Sequence, residues 1–259
     1  MNILLNGCLG YMGKEVTALS ERGYRGAKLL FGVDPTADGA DARIYKSLCD
    51  LPCTDDVDCI IDFSHHTATP ELLGFARERR LPVVLATTGH TEDEIGEIKK
   101  AASDIPIFYS GNMSLGIALL IELAKNVAAA MPEAEIEIVE THHNRKIDAP
   151  SGTALMIANA ISEVRTDTYT NLGRSGHGKR APEEIGIHSV RMGNIVGIHE
   201  VIVGTKNQTI TLKHEAHSRA LFAEGALDAA SFLTGMSAGI YDMRSIVSDE
   251  ESDVSTVIG

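Results

Sequence analysis

The apolar positions of the first 113 residues fall in short unbroken runs, not in alternation. Residues 3–7 (ILLNG), 28–34 (KLLFGVD), 58–64 (DCIIDFS), 81–89 (LPVVLATTG) and 105–112 (IPIFYSGN) each lead from aliphatic residues into Gly, Asp, Ser or Asn. Strands of this kind belong to a parallel sheet covered on both faces. Between them lie helical patterns. Residues 10–19 place Met12, Val16 and Leu19 at i, i+4 and i+7, and residues 68–80 gather Leu72, Phe75 and Ala76 on one side. Residues 91–103 open with Thr91 and Glu94 at capping-box spacing. The order β-α-β-β-α-β-α-β predicts an α/β, Rossmann-type doubly wound parallel sheet.

Beyond residue 113 the pattern changes. Residues 114–131 predict one long apolar helix. Residues 133–140 (EAEIEIVE) alternate charged and apolar positions, and so do 197–204 and 207–215 on either side of a turn. Alternation marks a sheet with one wet face. A second α+β domain with an open mixed or antiparallel sheet is predicted, its helices on one side. Residues 166–187 read as a long loop, a lid or a disordered stretch. Residues 220–235 form a last helix that returns to the first domain. The expected division is 1–113, completed by 221–259, and 114–220. The acidic tail SDEESDVSTVIG is expected to be loosely ordered.

Composition narrows the function. The 259 residues are 44% hydrophobic and 23% charged, enough for two cores. A net charge of −13 argues against a nucleic-acid partner and means that an anionic substrate needs a local basic pocket. The apolar stretch 115–124 is short and contains Glu122, so no membrane association is expected. The start MNILLNG lacks the pattern of a secretory signal, and a cytoplasmic location is expected. Cys8, Cys49, Cys53 and Cys59 lack zinc-site spacing and read as reduced thiols; no metal is expected.

Two motifs carry chemistry. The first is Gly7-Cys8-Leu9-Gly10-Tyr11-Met12-Gly13, between a strand and a helix. Glycine lets the backbone turn tightly and approach a pyrophosphate, and the helix start offers N–H groups and a positive dipole end. The spacing is G-x-x-G-x-x-G, not the usual G-x-G-x-x-G. Asp34 closes the second strand, where an acid takes the ribose hydroxyls of NAD. Pro35 follows it, not a basic residue, which favours NADH over NADPH, although Lys14 and Arg43 lie close enough in sequence to keep NADPH open. Phe63, Ala86, Thr87, Thr88, Ser110, Gly111, Asn112 and Met113 sit at later strand ends, the edge where such sheets bind ligands.

The second motif is ETHHNRKIDAPSGTALMIANAI, residues 140–161. His142, His143 and Lys146 follow a strand, and Ser151-Gly152-Thr153 opens a helix whose N–H groups suit a carboxylate. Imidazole titrates near neutrality and suits proton donation. Three readings compete: a metal site using His142, His143 and Asp148, a helix capped by Asp148 or Ser151 beside a solvated basic loop, and a site for an anionic substrate. Adjacent histidines rarely converge on one metal, and the combination of motifs favours the substrate site.

The stretch ETHHNRKIDAPSGTA resembles the signature of the 4-hydroxy-tetrahydrodipicolinate reductase (dihydrodipicolinate reductase) family. GCLGYMGK, IDFS, ATTGH, YSGNMSLG, RSGHGKR, IGIHSVRMGNIVGIHEV, LKHEAHSRALFAEGA and GIYDMRSI are similar to family segments in the same order, over nearly the whole chain. The resemblance implies a nucleotide domain and a substrate and oligomerisation domain, a homotetramer, and reduction of a small dicarboxylate ring by NADH or NADPH in lysine and diaminopimelate synthesis. It implies His142 as catalytic acid/base and Lys146 as proton donor, with His143, Gly152 and Thr153 on the substrate beside Ser151. Arg174, His177, His199, His214 and Arg219 are further candidates for the pocket; His65, His66, His90, His188 and His217 are assigned to surface or structure. Ala86 and Met113 depart from the Gly and Phe of many relatives, and the chain is short between the second and third predicted strands. Another amino- or imino-acid dehydrogenase and a catalytically silent nucleotide sensor are the competing functions.

Overall fold

A computed structural model describes residues 1–52 and 54–247. Cys53 and the acidic tail, with the expectation of its loose order, lie outside the described residues. The chain begins with β1 (Asn2–Asn6), α1 (Tyr11–Glu21), β2 (Lys28–Val33), β3 (Ile44–Tyr45), β4 (Cys59–Asp62), α2 (Thr69–Arg79), β5 (Val83–Leu85), α3 (Glu92–Ala101) and β6 (Pro106–Tyr109). It continues through α4 (Leu115–Ala130), β7 (Glu135–His142), α5 (Gly152–Val164), β8 (Tyr169–Leu172), β9 (Glu184–Arg191), β10 (Gly197–Gly204) and β11 (Thr209–Ala216). It closes with α6 (Ala220–Leu233), β12 (Gly239–Tyr241) and α7 (Met243–Val247). Two compact units result: Met1–Leu115 with the residues from 220 onward, and Gly116–Arg219.

The sheet of the first unit runs β12-β6-β5-β4-β1-β2-β3, every pair parallel. Its order reverses between β1 and β4, and the carboxyl ends of these two strands form the crevice where such folds bind ligands. Leu4, Ile60, Val83, Leu85 and Ile107 pack with Leu72 of α2 and Ile98 of α3. Val16 of α1 and Ala223, Ala226 and Ala230 of α6 are fully buried too. Small residues let α6 approach closely. A Cβ on Gly225 would stand 1.7 Å from the Met113 carbonyl oxygen.

The second unit has the sheet order β11-β10-β7-β9-β8. Pairs β11–β10 and β10–β7 are antiparallel, and β7–β9 and β9–β8 are parallel. The parallel half exists because α5 carries the chain back between β7 and the next strands. Ile136, Ile138, Ile185, Ile187, Val201 and Val203 pack against Ile117, Leu120 and Ile121 of α4 and Ile157 and Ile161 of α5. Arg165, past the end of α5, donates to the carbonyls of Ala128 (3.1 Å), Ala134 (2.7 Å) and Met131, gathering the acceptors at the end of α4.

The structure corrects the sequence reading at several places. The expected loop 166–187 contains β8 and the first residues of β9. Tyr169–Leu172 is an exposed edge strand with no apolar face, so periodicity could not reveal it. β3 and β12 are two and three residues long, too short for a pattern. The strand predicted over 133–140 runs over Glu135–His142, which puts His142 inside it.

Gly225→Ala should destabilise the first unit by about 1–3 kcal/mol, the cost of forcing atoms into a packed core. Denaturant unfolding checks this, and an unchanged midpoint contradicts the packing.

Candidate active site

The turn after β1 is built by close approach. Gly7 has φ +78°, and a Cβ there would lie 2.5 Å from the Phe63 carbonyl oxygen at the end of β4. A Cβ on Gly13 would lie 2.2 Å from the Gly7 carbonyl oxygen, so α1 can pack onto its own turn only with glycine. Gly10 is the N-cap of α1; no side chain caps this helix and its first turn holds no acid. A helix start left in this state suits a pyrophosphate. Cys8 sends its thiol inward: a Cβ on Gly32 would lie 2.7 Å from its Sγ. Burial first, then the charge of Asp34, raises that thiol to about 11.

Asp34 follows β2 and is buried. Its carboxylate accepts from the Leu9 N–H (3.1 Å), the Thr36 N–H (3.0 Å) and the Thr36 hydroxyl (2.6 Å). Burial pushes its pKa up, but these hydrogen bonds and Lys14 outweigh it and leave the group below its ordinary value. Arg43 is held by Asp41 at 2.7 Å. At the carboxyl ends of β1, β4 and β5 a second buried acid, Asp62, accepts from Asn6 (2.8 Å), the Ser64 hydroxyl (2.6 Å) and the Thr87 hydroxyl (2.7 Å). Ser110 donates to the Asn112 carbonyl (2.8 Å), and Asn112 accepts from the Ser114 N–H (2.9 Å). The structure thus gives the Thr87 and Ser110 side chains structural partners and buries Met113. Leu9, Met12, Phe63, Ala86 and Asn112 are half-buried, and Gly10, Tyr11, Thr88 and Gly111 are exposed. His66 binds Glu94 (2.9 Å) and His90 binds Thr69 (2.9 Å).

In the second unit, β7 buries Ile136, Ile138, Glu140 and His142 in alternation. The face that is aliphatic at its start becomes ionisable at its end. Glu140 is fully buried. Arg191 grips it with two bonds of 2.7 Å, the Ser151 N–H donates at 3.1 Å, and His142 Nδ1 lies 2.5 Å away. Burial raises the Glu140 pKa, but hydrogen bonds from His142, Arg191, Ser189 and Ser151 hold it far below the carboxylate range. Ser151 caps α5 by accepting from the Ala154 N–H (3.2 Å), and its hydroxyl meets His199 Nε2 at 3.1 Å. Among the caps weighed from sequence, Ser151 is the one used. Gly152 is exposed and Thr153 half-buried at the helix start, and no acid stands in the first turn.

Lys146 lies 2.9 Å from Asp148. His143 faces Arg219, Nε2 to Nη2 3.4 Å. The Nδ1 atoms of His143, His199 and His214 are buried without a partner among the described residues. Desolvation first, then Arg145, Arg219, His142 and Lys146, lowers the His143 pKa. Arg174 is taken by Glu184, and His188 by Glu137 at 2.9 Å; His177 is exposed. Among the described residues no group of three or more His, Cys, Asp or Glu could hold a metal, and no helix is long and apolar enough to cross a membrane.

The sequence reading passed over Glu140, Arg191 and Asp62. Extending the alternation of EIEIVE by two residues would have placed Glu140 and His142 on the buried face, an acid where an aliphatic residue belongs.

Comparison with known proteins places the chain in a family. Residues 1–113 match the family model described as dihydrodipicolinate reductase, N-terminus, and residues 116–247 the one described as dihydrodipicolinate reductase, C-terminus. The chain belongs to the dihydrodipicolinate reductase family. It is similar to the 4-hydroxy-tetrahydrodipicolinate reductase of Caldanaerobacter subterraneus subsp. tengcongensis, 45% identical over 95% of this chain and 98% of the relative. The enzyme of the same name from Clostridium novyi is 40% identical over 95% of this chain and 97% of its own. Among solved structures, the dipicolinate-bound dihydrodipicolinate reductase from Paenisporosarcina sp. TG-14 superposes with a TM-score of 0.80, at 24% identity, over 95% of this chain and 99% of that one. That likeness bears on the fold, as does a TM-score of 0.57 at 15% identity with a myo-inositol dehydrogenase from Corynebacterium glutamicum, covering 90% and 87% of the two chains. This reductase family thus accounts for both sheets of the chain.

His199 gives the site a pH signature. Burial first, then the charge of His142, lowers it from the usual 6.5 to about 4. The unfolded chain binds this proton at 6.5 and the native state does not, so its stabilising share is full above 6.5 and is lost as pH falls towards about 4. In His199→Gln the decline of stability across that window should be shallower by about 3 kcal/mol. Urea midpoints at stepped pH measure it, and parallel profiles for the two proteins count against a neutral, buried His199.

Proposed function

We propose that the chain reduces 4-hydroxy-tetrahydrodipicolinate to tetrahydrodipicolinate with a nicotinamide dinucleotide, as a step of lysine and diaminopimelate synthesis in the cytoplasm. The observation that carries this reading is the segment from Glu140 to Thr153. It sets two imidazoles and an ammonium beside a helix start free of acids, in a chain of net charge −13. Such a start holds a carboxylate by its N–H groups. Gly152 and Thr153, with Ser151 fixing the cap, take one carboxylate of the ring; His143 and Arg219 attract the dianion.

The turn Gly7–Gly13 fits a dinucleotide, because both glycines stand where any side chain would collide with backbone. When bound, the nicotinamide supplies a hydride to the substrate ring. The reduction then needs one proton on the resulting enamine. Lys146 donates it, and His142 acts as the acid/base that relays it. Asp148, 2.9 Å from Lys146, holds the ammonium in place until substrate competes for it. NADH is the preferred cofactor: a 2′-phosphate near the ionised Asp34 meets a like charge, and Arg43 is already engaged by Asp41. The exposed apolar side chains Leu119, Leu123, Tyr169, Leu172 and Met192 support assembly into a homotetramer.

The test is nicotinamide oxidation with substrate generated in place from pyruvate and aspartate semialdehyde by the preceding synthase. Oxidation should depend on that substrate and run faster with NADH than with NADPH. Lys146→Ala should lower turnover at least about 100-fold, as loss of a positioned acid does. Retained turnover removes Lys146 from its role, and no oxidation by a protein that binds NADH removes the whole reading. Sedimentation should give four times the 27.7 kDa chain mass.

A further inference from the structure

We propose that Glu140, anchored by Arg191, is a positioning residue that fixes His142 in one tautomer, with the proton on Nδ1 and with Nε2 as the atom that exchanges a proton with substrate. The inference rests on the reading of His142 as an acid/base.

The argument begins with the strand. Residues two apart on β7 share a face, so Glu140 and His142 point the same way from a rigid backbone. Glu140 Oε2 meets His142 Nδ1 at 2.5 Å. The other groups on this carboxylate donate to it: Arg191 Nη1 and Nη2, the Ser151 N–H and the Ser189 hydroxyl. A fully buried carboxylate surrounded by donors is ionised, and an ionised carboxylate only accepts. The hydrogen in the Glu140–His142 contact therefore sits on Nδ1. A neutral His142 then carries its lone pair on Nε2, and a charged one offers its labile proton there.

The surroundings of Nε2 fit that role. A Cβ on Gly197 would stand 3.1 Å from Nε2, so any side chain there would crowd this nitrogen. The His199 ring lies edge-on at 5.1 Å and limits rotation of the imidazole. Arg191 is the register partner of His142 across β7 and β9. Its bidentate grip fixes both carboxylate oxygens, so Glu140 cannot swing away from Nδ1. A purely structural alternative has Glu140 and Arg191 clamp β7 to β9, with His142 merely nearby. That alternative does not require one tautomer.

The experiment has two arms. In protein carrying ¹⁵N-histidine, the His142 signals, assigned by their loss in a His142→Gln variant, are followed as pH is raised until the ring is neutral. A protonated Nδ1 and a bare Nε2 are expected; the reverse tautomer overturns the proposal. In the second arm, Glu140→Gln should lower kcat about 100-fold, while the substrate KM and the Kd for NADH, followed by its fluorescence, stay within about threefold. A kcat within about threefold of the parent overturns the proposal. If Glu140→Gln does not fold, the tautomer in the parent protein decides alone. Failure of the reductase reading is seen separately, as a parent protein that oxidises no cofactor with the dicarboxylate substrate, whatever tautomer His142 shows.

Discussion

The second unit is organised around one buried negative charge. Leaving a carboxylate dry and unpaired costs several kcal/mol, and Glu140 avoids that cost only because three elements deliver donors to it at once. Arg191 comes from β9, His142 from two residues on along β7, and the Ser151 N–H from the cap of α5. The requirement runs both ways. The carboxylate needs these partners, and in meeting that need it sets the ends of two strands and the start of a helix relative to one another. Gly152, Thr153, His143 and Lys146, the groups proposed to face substrate, hang from those ends.

Two buried acids of the first unit meet a related problem without a bonded cation among the described residues. Asp34 and Asp62 are both buried, and both take their hydrogen bonds from neutral N–H and O–H groups. Asp34 steadies the Gly7–Gly13 turn through the Leu9 N–H, and Asp62 ties the ends of β1, β4 and β5 together. Groups that might be taken from sequence for ligand contacts, such as the Thr87 hydroxyl, serve this internal order.

Much of this was legible in the sequence, and the divide has a physical cause. Long or strongly patterned segments declared themselves: the apolar runs of β1, β2 and β4, the Thr91–Glu94 capping box, the hairpin of β10 and β11. The capping box is present in full, with Thr91 and Glu94 each bonding the other's backbone. Segments held by partners distant in sequence did not. β8 is short and exposed, has no apolar face, and exists because β9 offers it an edge. β3 and β12 extend the first sheet by two and three residues. The histidines and lysine of the second motif stood out by type, whereas Glu140 and Arg191, 51 residues apart, meet only once β7 and β9 pair. Arg174, a candidate for the pocket, is paired with a nearby buried acid, Glu184, a partner that only the fold reveals.

The contact between Gly7 and the end of β4 has a consequence for binding. With Phe63 backbone already against the place where a side chain would begin, the turn cannot open without displacing a central strand. A ligand therefore meets a wall whose shape was settled during folding. The entropy of ordering that loop is spent before the ligand arrives, so more of the contact energy remains as affinity.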